Sequence, residues 1–381
     1  MRPYLLPLLL LGVAAPVASA EPSGDGQTIV VTAVSLRDTE ARLRDCLARK
    51  CPPKEDIDAT LAHAENLFVA GDYAEARRVT RRSLGRNDKF AKTLPIDVSD
   101  LYRAYSRINA HMGDGEPYRR ATYAIRRTLK DGLPADDPRI LGASFEVAGM
   151  YASLHELDRA RHVYEDIADK AAKIGRPDLA ATARVRIAWL YELGGDRTLA
   201  RPALLEIADD TAPETRLARL TALILLARLD RQEGKTSSSD TLIASLKDKV
   251  GPRPVMLYSP RIDMDRGIDP QVGGSVTRLL TGDDYRNSWV DVGFWVTPDG
   301  RVSDAEVLRS GSKADWAKPL LRSIAGRIYS PPADPAGTYR VERYTQTALW
   351  MQVTGTRLEQ RSPETRIEFL DLTAEPEKAT R

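Results

Sequence analysis

The sequence predicts a multidomain chain, an α-helical solenoid followed by a small α+β domain. Two observations support this class. Helical hairpins recur at intervals of about forty residues between positions 56 and 250. After residue 288 an alternating strand, a turn, a second strand and a short amphipathic helix follow one another. With 381 residues, the chain is long enough for two such domains.

The first element is a short apolar segment at the N terminus. Arg2 precedes the run from Leu5 to Val17, and Ala18-Ser19-Ala20 supplies the small residues of a cleavage site. We expect residues 1–20 to be a signal peptide that is removed, which leaves no stable membrane anchor. The alternative is an uncleaved segment that anchors the chain in the inner membrane.

The charge balance gives no reason to expect nucleic acid as a partner. Once residues 1–20 and their single charged side chain, Arg2, are removed, 55 basic side chains stand against 54 acidic ones. A nearly neutral chain has no excess field that would attract a polyanion.

Residues 21–55 form an extended arm and a first helix that carries the two cysteines, Cys46 and Cys51. In an oxidising compartment, two cysteines this close to Pro52-Pro53 favour a local disulfide. A metal or redox centre would require a CxxC spacing or added histidine ligands, and neither is present in the sequence.

The arm contains one β-prone run, which consists of Thr28, Ile29, Val30, Val31, Thr32 and Ala33. It resembles the TonB box, the segment by which TonB-dependent outer-membrane receptors add a strand to a TonB C-terminal domain. Three interpretations stay open. The run is an arm that stays unpaired or docks on the helices, it pairs with the chain's own C-terminal domain, or it pairs with an outside partner.

Residues 56–250 carry the repeated helical pattern. A small residue where paired helices approach recurs at Ala76, Ala121, Ala160, Ala200 and Ser239. The segment from Ala70 to Ala76, with its Gly-Asp-Tyr turn, resembles the turn of tetratricopeptide repeats. The resemblance implies a TPR-like solenoid with a groove suited to peptide or protein partners. The apolar helix 213–232 is expected at its centre.

Residues 253–356 carry a different pattern. Val290, Val292, Phe294 and Val296 alternate with other residues as in a half-buried strand, and the segment 298–300 (Pro-Asp-Gly) reverses the chain. The return strand has apolar residues that fall out of phase, which predicts a β-bulge. A short helix capped by Asp315 and a final strand over 339–353 complete a ββαβ unit.

This order resembles the C-terminal domain of the TonB family, on the strength of Asp299-Gly300, Val302, Val307, Ser310-Gly311 and Tyr329-Ser330-Pro331. The resemblance implies a periplasmic protein linked to TonB-dependent transport across the outer membrane. Five residues of the final strand are expected to form a free sheet edge for a partner: Thr345, Thr347, Leu349, Met351 and Val353. Residues 357–381 are expected to be a polar tail that has room for one short strand over 366–372.

The sequence favours a binding protein over an enzyme. It has no G-x-S-x-G, H-E-x-x-H or P-loop motif, and nothing in it indicates a cofactor. We therefore expect a non-enzymatic periplasmic adaptor whose partners are proteins or peptides, with TonB-dependent receptors as one candidate class. The alternatives are a membrane-anchored energy transducer of the TonB family and a TPR scaffold for envelope assembly.

Overall fold

A computed structural model describes residues 35–246, 253–262, 288–312, 314–352 and 359–373. The helices are α1 (Leu36–Ala48), α2 (Pro53–Ala70), α3 (Tyr73–Asn87), α4 (Pro95–Met112), α5 (Gly115–Gly132), α6 (Pro138–Ser153), α7 (Leu157–Lys173), α8 (Pro177–Leu193), α9 (Arg197–Asp209), α10 (Arg216–Gln232), α11 (Thr236–Leu246) and α12 (Ala317–Ala325). The strands are β1 (Met256–Tyr258), β2 (Trp289–Val296), β3 (Val302–Ser310), β4 (Ile328–Tyr329), β5 (Thr338–Gln352) and β6 (Glu359–Asp371).

Helices α2 to α11 form five antiparallel hairpins, as the sequence predicts. The first helix of four hairpins starts with a proline at its N terminus, where a missing N–H costs no helical hydrogen bond: Pro53, Pro95, Pro138 and Pro177. Apolar residues from α6 to α10 build one continuous core along the array. The chain therefore contains a helical-repeat region in front of a sheet-containing region.

The repeat register differs from the sequence prediction in the second hairpin. The residues before the second helices are Asp72, Asp114, Glu156 and Asp196, at steps of 42, 42 and 40 residues. Four residues after Asp114 stands Tyr118, whose N–H donates to the Asp114 carbonyl oxygen at 3.0 Å. The prediction of Ala121 as the repeat position was wrong by three residues, because a tyrosine occupies the place that is alanine in the neighbouring hairpins.

Ion pairs join successive hairpins at these turns. Arg77 of α3 pairs with Asp114, the acid at the turn of the next hairpin. Arg119 of α5 pairs with Glu156 in the same way. Because Arg77 and Arg119 are also 42 residues apart, the ion pairs repeat with the hairpins and orient each one on its neighbour.

The C-terminal region is a four-stranded antiparallel sheet in the order β3-β2-β5-β6, with α12 packed on one face. Val290, Val292, Phe294 and Val296 are fully buried beneath α12. The predicted β-bulge is present in β3, where the register shifts and Asp304 has φ of 53°. Since the bulge restores the phase, Val302 and Val307 both pack on this core.

The C-terminal end of the chain holds a longer strand than the short one expected over 366–372 of the polar tail. Strand β6 occupies Glu359–Asp371 and pairs with β5 along most of its length. The strand begins seven residues earlier than expected, at Glu359, because polar residues suit an edge strand of which only one side is paired. Its proline, residue 363, lies where the register is irregular, which an edge strand tolerates.

Among the residues that the structure describes, two contacts attach the sheet region to the helices. Leu257 of β1 packs with Leu220 and Ile224 of α10. Beside them the buried Arg228 donates to the carbonyl oxygens of Leu257 at 3.1 Å and Met256 at 3.0 Å, and burial lowers its pKa to about 10. The second contact, between β2, β5 and β6 and the first two hairpins, is the larger source of specific hydrogen bonds.

Candidate binding surfaces of the sheet

The second contact is built around a buried arginine on β5. Arg343 is fully buried and pairs with Asp291 of β2 through two bonds, Nε to Oδ1 at 2.6 Å and Nη2 to Oδ2 at 2.9 Å. Its third nitrogen, Nη1, donates to the carbonyl oxygen of Phe68 at the end of α2, at 2.8 Å. The guanidinium also lies 3.9 Å from the centre of the Trp289 ring. A buried charge requires such complete pairing, so this contact has one favourable geometry.

A hydroxyl on the same strand links the sheet to both of the first two hairpins. The Oγ1 atom of Thr345 lies 2.8 Å from the Tyr73 hydroxyl and 3.2 Å from His111 Nδ1. Burial, and after it the positive charges of Arg107, Arg343 and Arg366, lowers the pKa of His111 to about 3. His111 is therefore neutral at ordinary pH and can bond the hydroxyl without a buried charge.

The end of α4 meets β5 backbone to backbone. Gly113 has φ of 74°, and a Cβ at this position would lie 2.2 Å from the Ala348 carbonyl oxygen. The Trp350 N–H donates to the Gly113 carbonyl oxygen at 3.1 Å. Arg361 of β6 donates to the carbonyl oxygens of Met112 at 2.9 Å and Ala348 at 2.6 Å. A side chain at residue 113 would separate the two regions.

These contacts correct the prediction that Thr345, Thr347, Leu349, Met351 and Val353 form a free edge. Thr345 and Thr347 are buried, and β5 lies inside the sheet between β2 and β6. Leu349 faces the second hairpin near Gly115. Met351 is paired with residue 360 of β6, and Val353 lies outside the described residues. The prediction was wrong because it took β5 for the last strand of the sheet.

The two true edges of the sheet differ in regularity. Strand β3 has two register shifts and exposes Asp304 and Glu306, features that protect an edge from pairing with another chain. Strand β6 is regular from Thr365 to Asp371. Within the described part of the chain, no other strand pairs with the outer side of β6.

The hydrogen-bond register shows which backbone groups of β6 point outward. Leu372 N–H donates to the Val341 carbonyl oxygen of β5 at 2.8 Å. In an antiparallel ladder the bonded residues alternate, so Glu368 and Leu370 also face β5. The N–H and C=O groups of Ile367 and Phe369 consequently point away from the sheet. The sequence signal for this edge is the alternation of residues 366–369, in which Ile367 and Phe369 stand beside charged residues.

The sheet face opposite α12 is only half covered by the helices. Trp289 is buried against them, whereas Trp295 at the other end of β2 is 41% exposed. The Trp295 ring lies tilted against Tyr339 of β5, with ring centroids 5.2 Å apart. Tyr339 also covers Gly293, where any Cβ would collide with its hydroxyl. Leu308 of β3 lies on the other side of Gly293 and is 42% exposed. We call Leu308, Trp295 and Tyr339 the apolar band.

The remaining predictions concern the cysteines and the N terminus. Cys46 and Cys51 form the predicted disulfide, with Cα atoms 5.1 Å apart. Glu55 lies near both sulfurs, but sulfurs bonded to each other are not available as thiolate ligands. The segment Thr28–Ala33 and residues 1–20 lie outside the described residues. Among the helices that the structure describes, none has the length and apolar character needed to cross a bilayer.

No protein-family model matches this chain, and no curated protein matches it. Its fold is similar to solved helical-repeat proteins. A Podosopora anserina protein described as a kinesin light chain with TPR-like repeats is 15% identical, over 51% of this chain and 94% of its own, with a TM-score of 0.41. BtubC from P. vanneervenii is 14% identical, over 60% of this chain and 97% of its own, with a TM-score of 0.41.

A third similar structure is a Rap protein in complex with competence and sporulation factor. It is 10% identical, over 55% of this chain and 57% of its own, with a TM-score of 0.39. At scores below 0.5 these likenesses carry no argument about partners.

Proposed function

We propose that the protein is a non-enzymatic adaptor that binds an extended segment of a partner protein along β6, as a fifth strand of the sheet. The single observation that supports this most is the regular run from Thr365 to Asp371 at an unbulged sheet edge. Main-chain hydrogen bonds from Ile367 and Phe369 would supply affinity, and alternate side chains would supply specificity. The proposed site lies on β6, one strand beyond β5, which the sequence predicted to be the free edge.

The partner class follows from the resemblance to the TonB C-terminal domain. We propose the strand-forming N-terminal segment of a TonB-dependent receptor as the ligand, which would link the protein to transport across the outer membrane. The rigid attachment of β5 to the first two hairpins would then hold the edge in a fixed orientation on the helical array. The array would carry a second partner or position the sheet.

The test uses a synthetic peptide with such a receptor segment and the full-length exported chain. Hydrogen exchange at single amides should slow at Ile367 and Phe369 on binding, because their N–H groups become bonded. Phe369→Pro should weaken binding at least roughly ten-fold, since it removes an outward N–H, whereas Phe369→Leu should bind as well as the parent.

Asp371→Pro and Asp371→Ala form a second matched pair at the end of the strand, in case the Phe369 variants are unstable. Only the proline variant removes an outward N–H, while both remove the exposed ion pair of Asp371 with Arg340. The proposal fails if the peptide does not bind, or if it binds while exchange at Ile367 and Phe369 stays unchanged.

The compartment is part of the same proposal, since residues 1–34 lie outside the described residues. Cleavage after Ala20 would release a periplasmic protein that starts at Glu21. Intact-mass measurement on protein recovered from periplasm and membranes distinguishes the two cases. A chain that keeps Arg2 and is found only in membranes would favour the energy transducer.

A further inference from the structure

The apolar band of Leu308, Trp295 and Tyr339 is a surface without a cover among the described residues. Each of the three side chains is at least 36% exposed, and the three lie on adjacent strands. Two further apolar residues, Val341 and Leu372, are half-buried beside them. The band continues the face that the helices already cover at Trp289. Contiguous apolar surface of this kind marks an interaction site more often than an isolated exposed leucine does.

We infer that the N-terminal arm of the same chain, through Ile29, Val30 and Val31, covers this band. This contact is independent of strand addition at β6, because the band lies on one face of the sheet, on strands β3, β2 and β5, and not along the outer side of β6.

The start of α1 lies beside the point where the sheet meets the first hairpin. Thr39 of α1 contacts two residues of α2, with its Oγ1 3.2 Å from His63 Nδ1 and 3.2 Å from Asn66 Nδ2. The helices are antiparallel, so one turn further Ser35 reaches the level of Phe68. The carbonyl oxygen of Phe68 is the acceptor for Arg343 of β5.

The band extends from this point on the same side as α1. Along β5, Ala348 meets Gly113 of the second hairpin and Arg343 meets Phe68 of the first. Tyr339 lies further along β5 in the direction that runs from Ala348 to Arg343. It therefore lies past the first hairpin, on the side away from the second hairpin. Helix α1 packs on α2 at that end of the array. Tyr339 is four positions along the strand from Arg343, a distance of roughly 14 Å.

The extended length of the arm exceeds the roughly 14 Å between Arg343 and Tyr339. An extended chain covers at most ~3.3–3.6 Å per residue, so Val31 can lie about 14 Å from Ser35 and Ile29 about 20 Å. The run from Ile29 to Val31 is apolar and β-branched, and its neighbours Thr28 and Thr32 are polar. Such a segment can bury its apolar side chains on Trp295 and Leu308 while its threonines stay at the rim.

Cysteine crosslinking in the full exported chain tests the inference. Val31→Cys combined with Leu308→Cys should form an intramolecular disulfide under mild oxidation. The oxidised chain should stay monomeric, and mass spectrometry after digestion should detect the two linked peptides. The matched control combines Val31→Cys with Lys318→Cys, since Lys318 is exposed on α12 at the opposite face of the sheet. The control should crosslink at least ten-fold less. The native cysteines are already paired and do not compete.

A second readout avoids added cysteines. In protein labelled with 5-fluorotryptophan, the Trp295 resonance is assigned by its loss in Trp295→Phe. Val31→Asp should shift this resonance toward the position of exposed tryptophan, and Val31→Ile should leave it unchanged. Crosslinking only between chains would overturn the inference in favour of a second copy. Equal crosslinking in both pairs, or a Trp295 signal indifferent to Val31→Asp, would also overturn it.

Discussion

Arg343 donates a hydrogen bond to the carbonyl oxygen of Phe68, a residue 275 positions earlier in the chain. The same guanidinium is held by Asp291 on the adjacent strand, so one side chain belongs at once to the sheet and to the helical array. Charged groups this deeply buried tolerate little rearrangement, because any loss of a partner leaves an uncompensated charge. The sheet is therefore attached in one orientation.

The first prediction concerns this arginine. Arg343→Ala should lower the free energy of unfolding by about 3–5 kcal/mol, since it leaves Asp291 buried without its main partner. Arg309→Ala is the matched control, because Arg309 bonds the same carboxylate but is 55% exposed. Arg309→Ala should lower the free energy of unfolding by less than about 1 kcal/mol. Urea unfolding of the two variants gives both values, and similar losses would show that Arg343 does not hold the contact.

The second prediction separates the docking contact from backbone strain. Gly113→Ala should destabilise the protein through its positive φ and through collision with the Ala348 carbonyl oxygen. Gly234 ends α10 with φ of 80°, but nothing lies within 4 Å of its missing Cβ. Gly234→Ala should therefore show the backbone cost alone, about 1–2 kcal/mol. Thermal unfolding should place Gly113→Ala clearly below Gly234→Ala, and equal melting temperatures would exclude close docking at residue 113.

Much of the fold was predictable because local chemistry determines it. The alternation of Val290, Val292 and Phe294 and the out-of-phase Val307 were enough to predict the hairpin and its bulge. The period of the repeat was predictable, but its register in the second hairpin was not, since Tyr118 replaces the alanine that marks the other copies. The prolines that begin α2, α4, α6 and α8 at near-equal spacing give the register better than the alanines did.

The candidate site was not predictable to the same degree, because it depends on strand order. Thr345 and Thr347 have the pattern of a half-exposed strand. No local pattern shows that His111 and Tyr73 bond the Thr345 hydroxyl. The alternation of Ile367 and Phe369 with charged residues indicates a short strand over 366–372, but nothing local shows that this strand pairs with β5. Contacts across more than two hundred residues, such as that of Thr345 with His111, require the folded arrangement.

The third prediction concerns pH. Unfolded His111 binds a proton near pH 6.5, whereas burial lowers the folded-state pKa to about 3. Between these values the unfolded state holds one more proton, so the free energy of unfolding should fall by ~1.4 kcal/mol per unit as the pH drops. Above pH 6.5 this histidine should contribute no slope.

His111→Gln supplies the comparison for that slope, because glutamine can still bond the Thr345 hydroxyl but does not titrate. The difference in unfolding free energy between parent and variant should stay constant above pH 6.5 and shrink or reverse between pH 6.5 and 3. Other titrating groups, including His63, are present in both proteins and cancel. Parallel pH profiles would mean that His111 is not buried against the sheet.

The fourth prediction concerns the disulfide that joins the end of α1 to the turn before α2. Cys46 is buried, and the bond closes a loop of five positions, which in the chain-entropy model contributes about 2 kcal/mol. Reductant should lower the melting temperature of the parent and speed hydrogen exchange in α1. The variant with both Cys46→Ala and Cys51→Ala should melt at the reduced value with or without reductant. Unchanged exchange in α1 would show that its packing on α2 suffices without the bond.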